Sequence, residues 1–292
     1  MRHDDPHTAD RPQWHQINIQ FDDHQGAERA VIAHLGPVLM EAESTGLVIS
    51  WFFIRKQWWR FRYLPTSGTS AGEATKLLED AARAMRDCGY ASRWVESIYE
   101  PETHAFGGEA GMAAAHNLFY ADSHHLFKYL RPPGDGTLTS APHSQGKRRE
   151  LSVLLCAALM RAAGQDRYEQ GDIWAKVADH RPIEDSAQPA QWRTSTAAVK
   201  RLITVDTGPD TALRTGGAME FATGWLTAFE QAGETLKTLS DEGLLTRGIR
   251  AVTAHHIIFH WNRIGLLYHT QANMSLAAKE VIFGDRRGCA DR

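Results

Sequence analysis

The stretch Trp51–Pro65, WFFIRKQWWRFRYLP, decides how this chain is read. It divides into two short apolar runs, Leu47–Arg55 and Trp58–Pro65, with a polar break between them, which is the pattern of an antiparallel hairpin. Side chains alternate along a strand, so Arg60 and Arg62 project from one face, about 6.6 Å apart along the chain. Trp59, Phe61 and Tyr63 take the other face, where a following helix can cover them. Two planar guanidinium forks on one rigid strand suit a carboxylate or a phosphate. They equally suit acidic side chains on a neighbouring strand, and the spacing alone does not choose between these.

Working outward, Trp14–Phe21 (WHQINIQF) alternates as a strand, and Ala27–Gly46 reads as a helix that Gly36-Pro37 kinks or splits. Ala71–Tyr90 is an amphipathic helix with Gly89 as its stop, and Ser92–Glu102 returns as a strand. Beyond it, Gly108–Leu130, Lys147–Gly164, Tyr168–His180, the segment after Thr211 and Thr246–Leu267 read as helices. Gly107 and Gly108 supply a tight turn, with no phosphate-loop motif behind them, and Asp122-Ser123 reads as a helix terminus or cap. The Pro/Gly-rich segment Arg131–Gly146 is the clearest linker. The fold class expected is α+β: an N-terminal antiparallel sheet layer with helices, then a mostly helical C-terminal half.

Composition narrows the function classes. The 292 residues are 42 % hydrophobic and 23 % charged, an ordinary globular balance. A formal net charge of −3 argues against a broad basic surface for nucleic acid, so any cationic function is local. Cys88, Cys156 and Cys289 lack metal-ligand spacing and cannot all pair with one another. The polar N-terminus has no apolar core of a signal peptide, and no apolar run reaches membrane-spanning length. The expectation is a soluble cytoplasmic protein with no membrane association and no direct nucleic-acid contact.

The second unusual stretch is AHHIIFHWNRIG, Ala254–Gly265. On a helix His256 and His260 share a face, with Arg263 a turn further along, so a titratable base, the amide of Asn262 and a cation lie close together. A zinc-protease helix would carry Glu after its first histidine; here that residue is Ile257, and no metal is expected.

Taken together, WFFIRKQWWRFRY, the segment Ile98–Ser123 (IYEPETHAFGGEAGMAAAHNLFYADS) and Ala254–Leu267 resemble the thiopeptide-type bacteriocin biosynthesis domain, the C-terminal elimination domain of class I lantibiotic dehydratases. The resemblance runs from about residue 14 to 284, with residues 1–13 and 285–292 expected as disordered ends. It implies an enzyme, a carbon–oxygen lyase, that eliminates glutamate from glutamylated Ser or Thr of a ribosomal precursor peptide, leaving dehydroamino acids. It also implies a separate tRNA-dependent glutamylating subunit as partner, because 292 residues do not hold both activities. Related stand-alone members, the thiopeptide pyridine synthases, join two dehydroalanines in a formal [4+2] cyclisation. A third reading is a non-catalytic subunit that binds the precursor by strand addition at a sheet edge.

Carried over residue by residue, the resemblance implies that Arg60 and Arg62 hold the glutamyl group or enolate oxygen and that His260 transfers the proton. Arg55, Lys56, Glu102, Asn262 and Arg263 are the further substrate-binding candidates, and no cofactor is expected. One departure stands out: Pro101 occupies the place where many members carry an arginine, so Arg55, Lys56 or Arg263 substitutes for it or the reaction differs.

Overall fold

A computed structural model describes residues 13–131, 147–183 and 189–284. The expected disordered ends and nearly all of the Pro/Gly-rich linker therefore lie outside the described residues. The described chain divides into two compact units, one of residues 13–101 and 126–131, the other of 102–125, 147–183 and 189–284.

In the first unit the hairpin forms as its alternation predicts. Strands β1 (His15–Phe21), β2 (Val48–Arg55), β3 (Trp59–Pro65) and β4 (Ala91–Ile98) make a four-stranded antiparallel sheet in the order β2-β3-β1-β4. Helices α1 (His24–Ala30), α2 (Gly36–Ser44) and α3 (Gly68–Asp87) belong to the same unit. A π-helical turn, Val31–Leu35, separates α1 from α2, and Pro37 lies in the first turn of α2, where a missing N–H costs nothing. The expected break at Gly36-Pro37 is thus real. Ser67 caps α3 by accepting from the Ser70 N–H at 3.2 Å. Ile17, Ile19, Phe21, Phe53, Trp59, Phe61 and Tyr63 are buried, and the Tyr63 hydroxyl meets Thr75 of α3 at 2.6 Å. This places the aromatic face of β3 against the helix, as the alternation requires. The strand expected over Ser92–Glu102 stops at Ile98, and as an edge strand β4 is largely exposed on both faces.

The second unit is helical. After α4 (Glu109–Leu130), whose last residues belong to the first unit, come α5 (Arg148–Ala162), α6 (Arg167–His180), α7 (Pro189–Thr204), α8 (Thr223–Asp241), α9 (Ile249–Ile264) and α10 (Tyr268–Phe283). Helix α9 packs against α5, α6 and α8, with eleven of its sixteen residues buried, the polar Thr253, His256, His260 and Arg263 among them. Gly265 ends it in the left-handed conformation, φ 84°. A Cβ on Gly233 of α8 would stand 2.4 Å from the Leu159 carbonyl oxygen, so only glycine permits the approach of α8 to α5.

Three readings need correction. Asp122 and Ser123 do not end or cap a helix: they sit in the middle of α4, fully buried, because their polar groups find partners inside the bundle. The helix expected after Thr211 starts only at Thr223. The intervening turns are pinned by Arg214, which donates to Glu230, the Thr207 and Thr223 carbonyls and the Thr227 hydroxyl. Helices α7 and α10 are additions to the expected set, since the sequence of neither is bounded by recognisable caps.

Candidate active site

In the first unit, cross-strand register sets the face that carries the arginines. Arg60 lies opposite Asn18 on β1 and Ile54 on β2, and Arg62 opposite Gln16 and Phe52. The neighbours on β1 are therefore amides, not carboxylates. Arg62 donates from Nε to Gln16 Oε1 at 2.7 Å, and Gln16 and Asn18 both donate to the Ser97 hydroxyl, at 2.8 and 2.9 Å. The Arg62 guanidinium lies 4.3 Å from the Tyr99 ring centroid and 5.3 Å from that of Phe52. Arg60, half-buried, has no ion pair or hydrogen bond among the described residues. Among the described residues Arg60 thus lacks the acidic partner that would make it a structural ion pair. Neutral amides orient a guanidinium without cancelling its charge.

The other cations of the hairpin are placed differently. Arg55 shares its face with Phe53 and Trp59, pairs with Glu28 at 2.5 Å and stacks 4.4 Å over Trp59. It therefore points to the helical side, away from Arg60 and Arg62. Lys56 is exposed on the turn.

In the second unit, Asp122 of α4 gathers three donors. Trp225 Nε1 donates to Oδ1 at 2.8 Å, Arg263 Nη1 to Oδ2 at 2.6 Å, and His260 Nδ1 lies 3.1 and 3.0 Å from the two oxygens. Burial pushes the Asp122 carboxyl up, but His260 and Arg263, by charge and hydrogen bond, outweigh it and hold it below the usual carboxylate range. An ionised carboxylate only accepts, so His260 Nδ1 carries the proton and Nε2 is left as the basic nitrogen in the neutral ring. That nitrogen has no hydrogen-bond partner among the described residues. The Phe229 ring packs edge-on at 4.9 Å, and His260 is 1 % exposed.

Arg263 is committed to Asp122 and lies 4.6 Å from the Phe119 ring centroid. Asn262 points elsewhere and accepts from Gln271 of α10 at 3.1 Å. Glu102 is exposed, and it forms no ion pair among the described residues. His256 is buried between the Phe106 and Phe119 rings, and neither nitrogen has a hydrogen-bond partner among the described residues. Burial, then the charges of His255 and Arg263, push it down to about 3, so it is neutral at physiological pH. Among the described residues no group of three His, Cys, Asp or Glu side chains is placed to hold a metal. The residue missed from sequence was Asp122. Its signal was available: an acid at the centre of an apolar helix has to be paired.

Residues 14–279 match the family described as lantibiotic biosynthesis dehydratase C-term. The chain belongs to that family. No curated protein matches it at a significant level. Among solved structures, the tRNA dependent lantibiotic dehydratase MibB from Microbispora sp. 107891 superposes with a TM-score of 0.66 at 16 % identity, over 91 % of this chain and 27 % of that one. The chain thus corresponds to about a quarter of MibB. TsrL superposes at 0.60 and 16 % identity over 95 % of this chain and 99 % of its own. The pyridine synthase TbtD, from thiomuracin biosynthesis, does so at 0.58 and 10 % identity, over 92 % and 97 %. At these identities the likeness is one of fold. The lantibiotic dehydratase C-terminal fold is therefore shared by proteins as long as this one and by a part of a larger enzyme. No helix among the described residues is long and apolar enough to cross a membrane.

Proposed function

We propose that this chain eliminates glutamate from glutamylated Ser and Thr residues of a ribosomal precursor peptide, after a separate tRNA-dependent subunit has attached it. The observation that carries the proposal is the strand face that Arg60 and Arg62 share with the amides Asn18 and Gln16, on which Arg60 has no ion pair among the described residues. In the elimination a base takes the Cα proton, the electron pair forms the Cα=Cβ bond, and the Cβ–O bond breaks to release glutamate as a carboxylate. Negative charge develops first on the peptide carbonyl oxygen and then on the leaving group. Cations held rigidly on a strand stabilise both without reorganising. His260 takes the proton at Nε2 in this reading, with Asp122 fixing the ring through Nδ1 and stabilising the imidazolium that results.

The test is mass spectrometry of the precursor co-expressed with its glutamylating subunit and this chain. Wild type should yield water-loss products, and Arg60→Ala or His260→Ala should accumulate glutamyl adducts. Adducts that persist with wild type, or elimination without this chain, would end the lyase reading.

One observation favours pyridine formation as the second reading. Of the three cations that could replace the arginine lost at Pro101, Arg55 is paired with Glu28 and Arg263 with Asp122. The same face would then stabilise charge in a cyclisation of two dehydroalanines. A dehydrated, azole-bearing precursor converted to a macrocycle with loss of its leader would establish that reading.

A further inference from the structure

The second unit contains a cleft that the proposed chemistry does not use. It measures about 510 Å³ and is lined by α5, α7 and α10. Its floor is apolar: Val153 of α5, Val199 and Leu202 of α7, and Met274 of α10. Val153, Val199 and Met274 are buried members of the same core cluster, so the floor is held from behind. Around it stand Arg149, Glu150, His269, Thr270 and Asn273. Ligand sites typically enclose roughly 300–1,000 Å³, with an apolar lining and a few convergent polar groups, and this cleft has both.

Glu150 makes the cleft selective. Its Oε2 is shut off from solvent and has no hydrogen-bond partner among the described residues. A shielded carboxylate oxygen beside apolar walls is costly until an N–H reaches it, and a charged donor compensates best. Arg149 and Asn273 supply N–H groups of their own, which suit carbonyl oxygens. Neither they nor His269 have a hydrogen bond or ion pair among the described residues. An apolar floor, one carboxylate lacking a donor and flanking N–H groups together match a peptide better than a bare ion or a lipid.

We propose that this cleft recognises a segment of the peptide substrate in which an apolar side chain neighbours a lysine or arginine. The apolar group rests on Val199, Leu202 and Met274, the cation meets Glu150, and backbone carbonyls face Asn273 and Arg149. The inference rests on the peptide-modifying reading above, but on none of its catalytic residues.

The test uses the full chain and two fluorescein-labelled peptides, Ser-Leu-Lys-Leu-Ser-Gly and its counterpart with Glu for Lys, followed by fluorescence anisotropy. The lysine peptide should bind roughly tenfold more tightly, and Glu150→Gln should erase most of that preference. Ala198→Trp, which fills the cleft, should weaken both peptides. Should that variant not fold, Glu150→Lys replaces it and should reverse the preference. Equal affinity for the two peptides, or a preference that survives Glu150→Gln, overturns the proposal. The two readings separate cleanly. Elimination lost with the lysine preference intact removes the catalytic reading alone, whereas elimination intact with no preference removes the cleft.

Discussion

Arg62 and Arg263 look alike in sequence, each an arginine in an aromatic stretch, and both are buried. What holds them differs. Arg62 is held by the side-chain oxygen of Gln16, a neutral amide, whereas Arg263 is held by the carboxylate of Asp122. A neutral amide does not oppose the charge it orients, whereas a carboxylate does. An anionic intermediate can use the strand arginines as a source of field, but Arg263 acts through the ring of anion, imidazole and indole that it stabilises.

The comparison is tested most severely at Asp122. Asp122→Asn removes the anion that Arg263 needs while leaving the guanidinium buried, and breaking a buried pair in this way costs about 3–5 kcal/mol. Urea denaturation should show that loss, and replacing Arg62 should show a smaller one. Because the folded pKa of Asp122 lies below its unfolded value, its contribution is present above the ordinary carboxylate range. It disappears as pH falls through the lowered one. If Asp122→Asn unfolds no more readily than Arg62→Ala, the two arginines are not held in different ways.

A second test lies one turn away, at His256. Its folded pKa is pushed down to about 3 from 6.5, so on acidification the unfolded state binds the proton first. Stability is full above pH 6.5 and declines as pH falls from there to about 3, by ~2 kcal/mol at pH 5. His256→Leu should remove that slope and raise the melting temperature at pH 5, since neither ring nitrogen has a partner among the described residues. A slope that survives the substitution would place the acid sensitivity at Asp122 alone. Elimination should be unaffected, which would separate the two histidines of the helix.

Much of this was legible beforehand, and unevenly so. The hairpin and the shared face of Arg60 and Arg62 follow from strand alternation, a local rule that needs no partner. The family resemblance rests on the same stretches. Whether those arginines face acids or amides depends on register between β1 and β3, which local pattern does not encode. The pairing of Asp122 with residues 138 and 141 positions away is a long-range fact of the same kind. Helix α7 was unreadable for another reason: the PAQWRTSTAAVKRLIT sequence mixes small, polar and β-branched residues, and packing against α10 and α5 outweighs its weak propensity.

The smallest effects on stability fall on the strand itself, and they sharpen the comparison by separating structure from function. Arg62→Ala leaves Gln16 Oε1 without its donor and removes the stack on Tyr99, a loss of about 1–3 kcal/mol. Arg60 has no such partner, so Arg60→Gln should change unfolding free energy by no more than about 0.5 kcal/mol. Yet Arg60→Gln should slow elimination markedly in a time course of glutamyl-adduct loss, because a half-buried guanidinium beside an amide is worth most to a charge that only the substrate brings. If instead Arg60→Gln eliminates at the wild-type rate while Arg62→Ala does not, the anion is held by Arg62 alone. The free guanidinium would then be a surface charge, and the functional face would shrink to the Gln16–Arg62–Tyr99 end of the sheet.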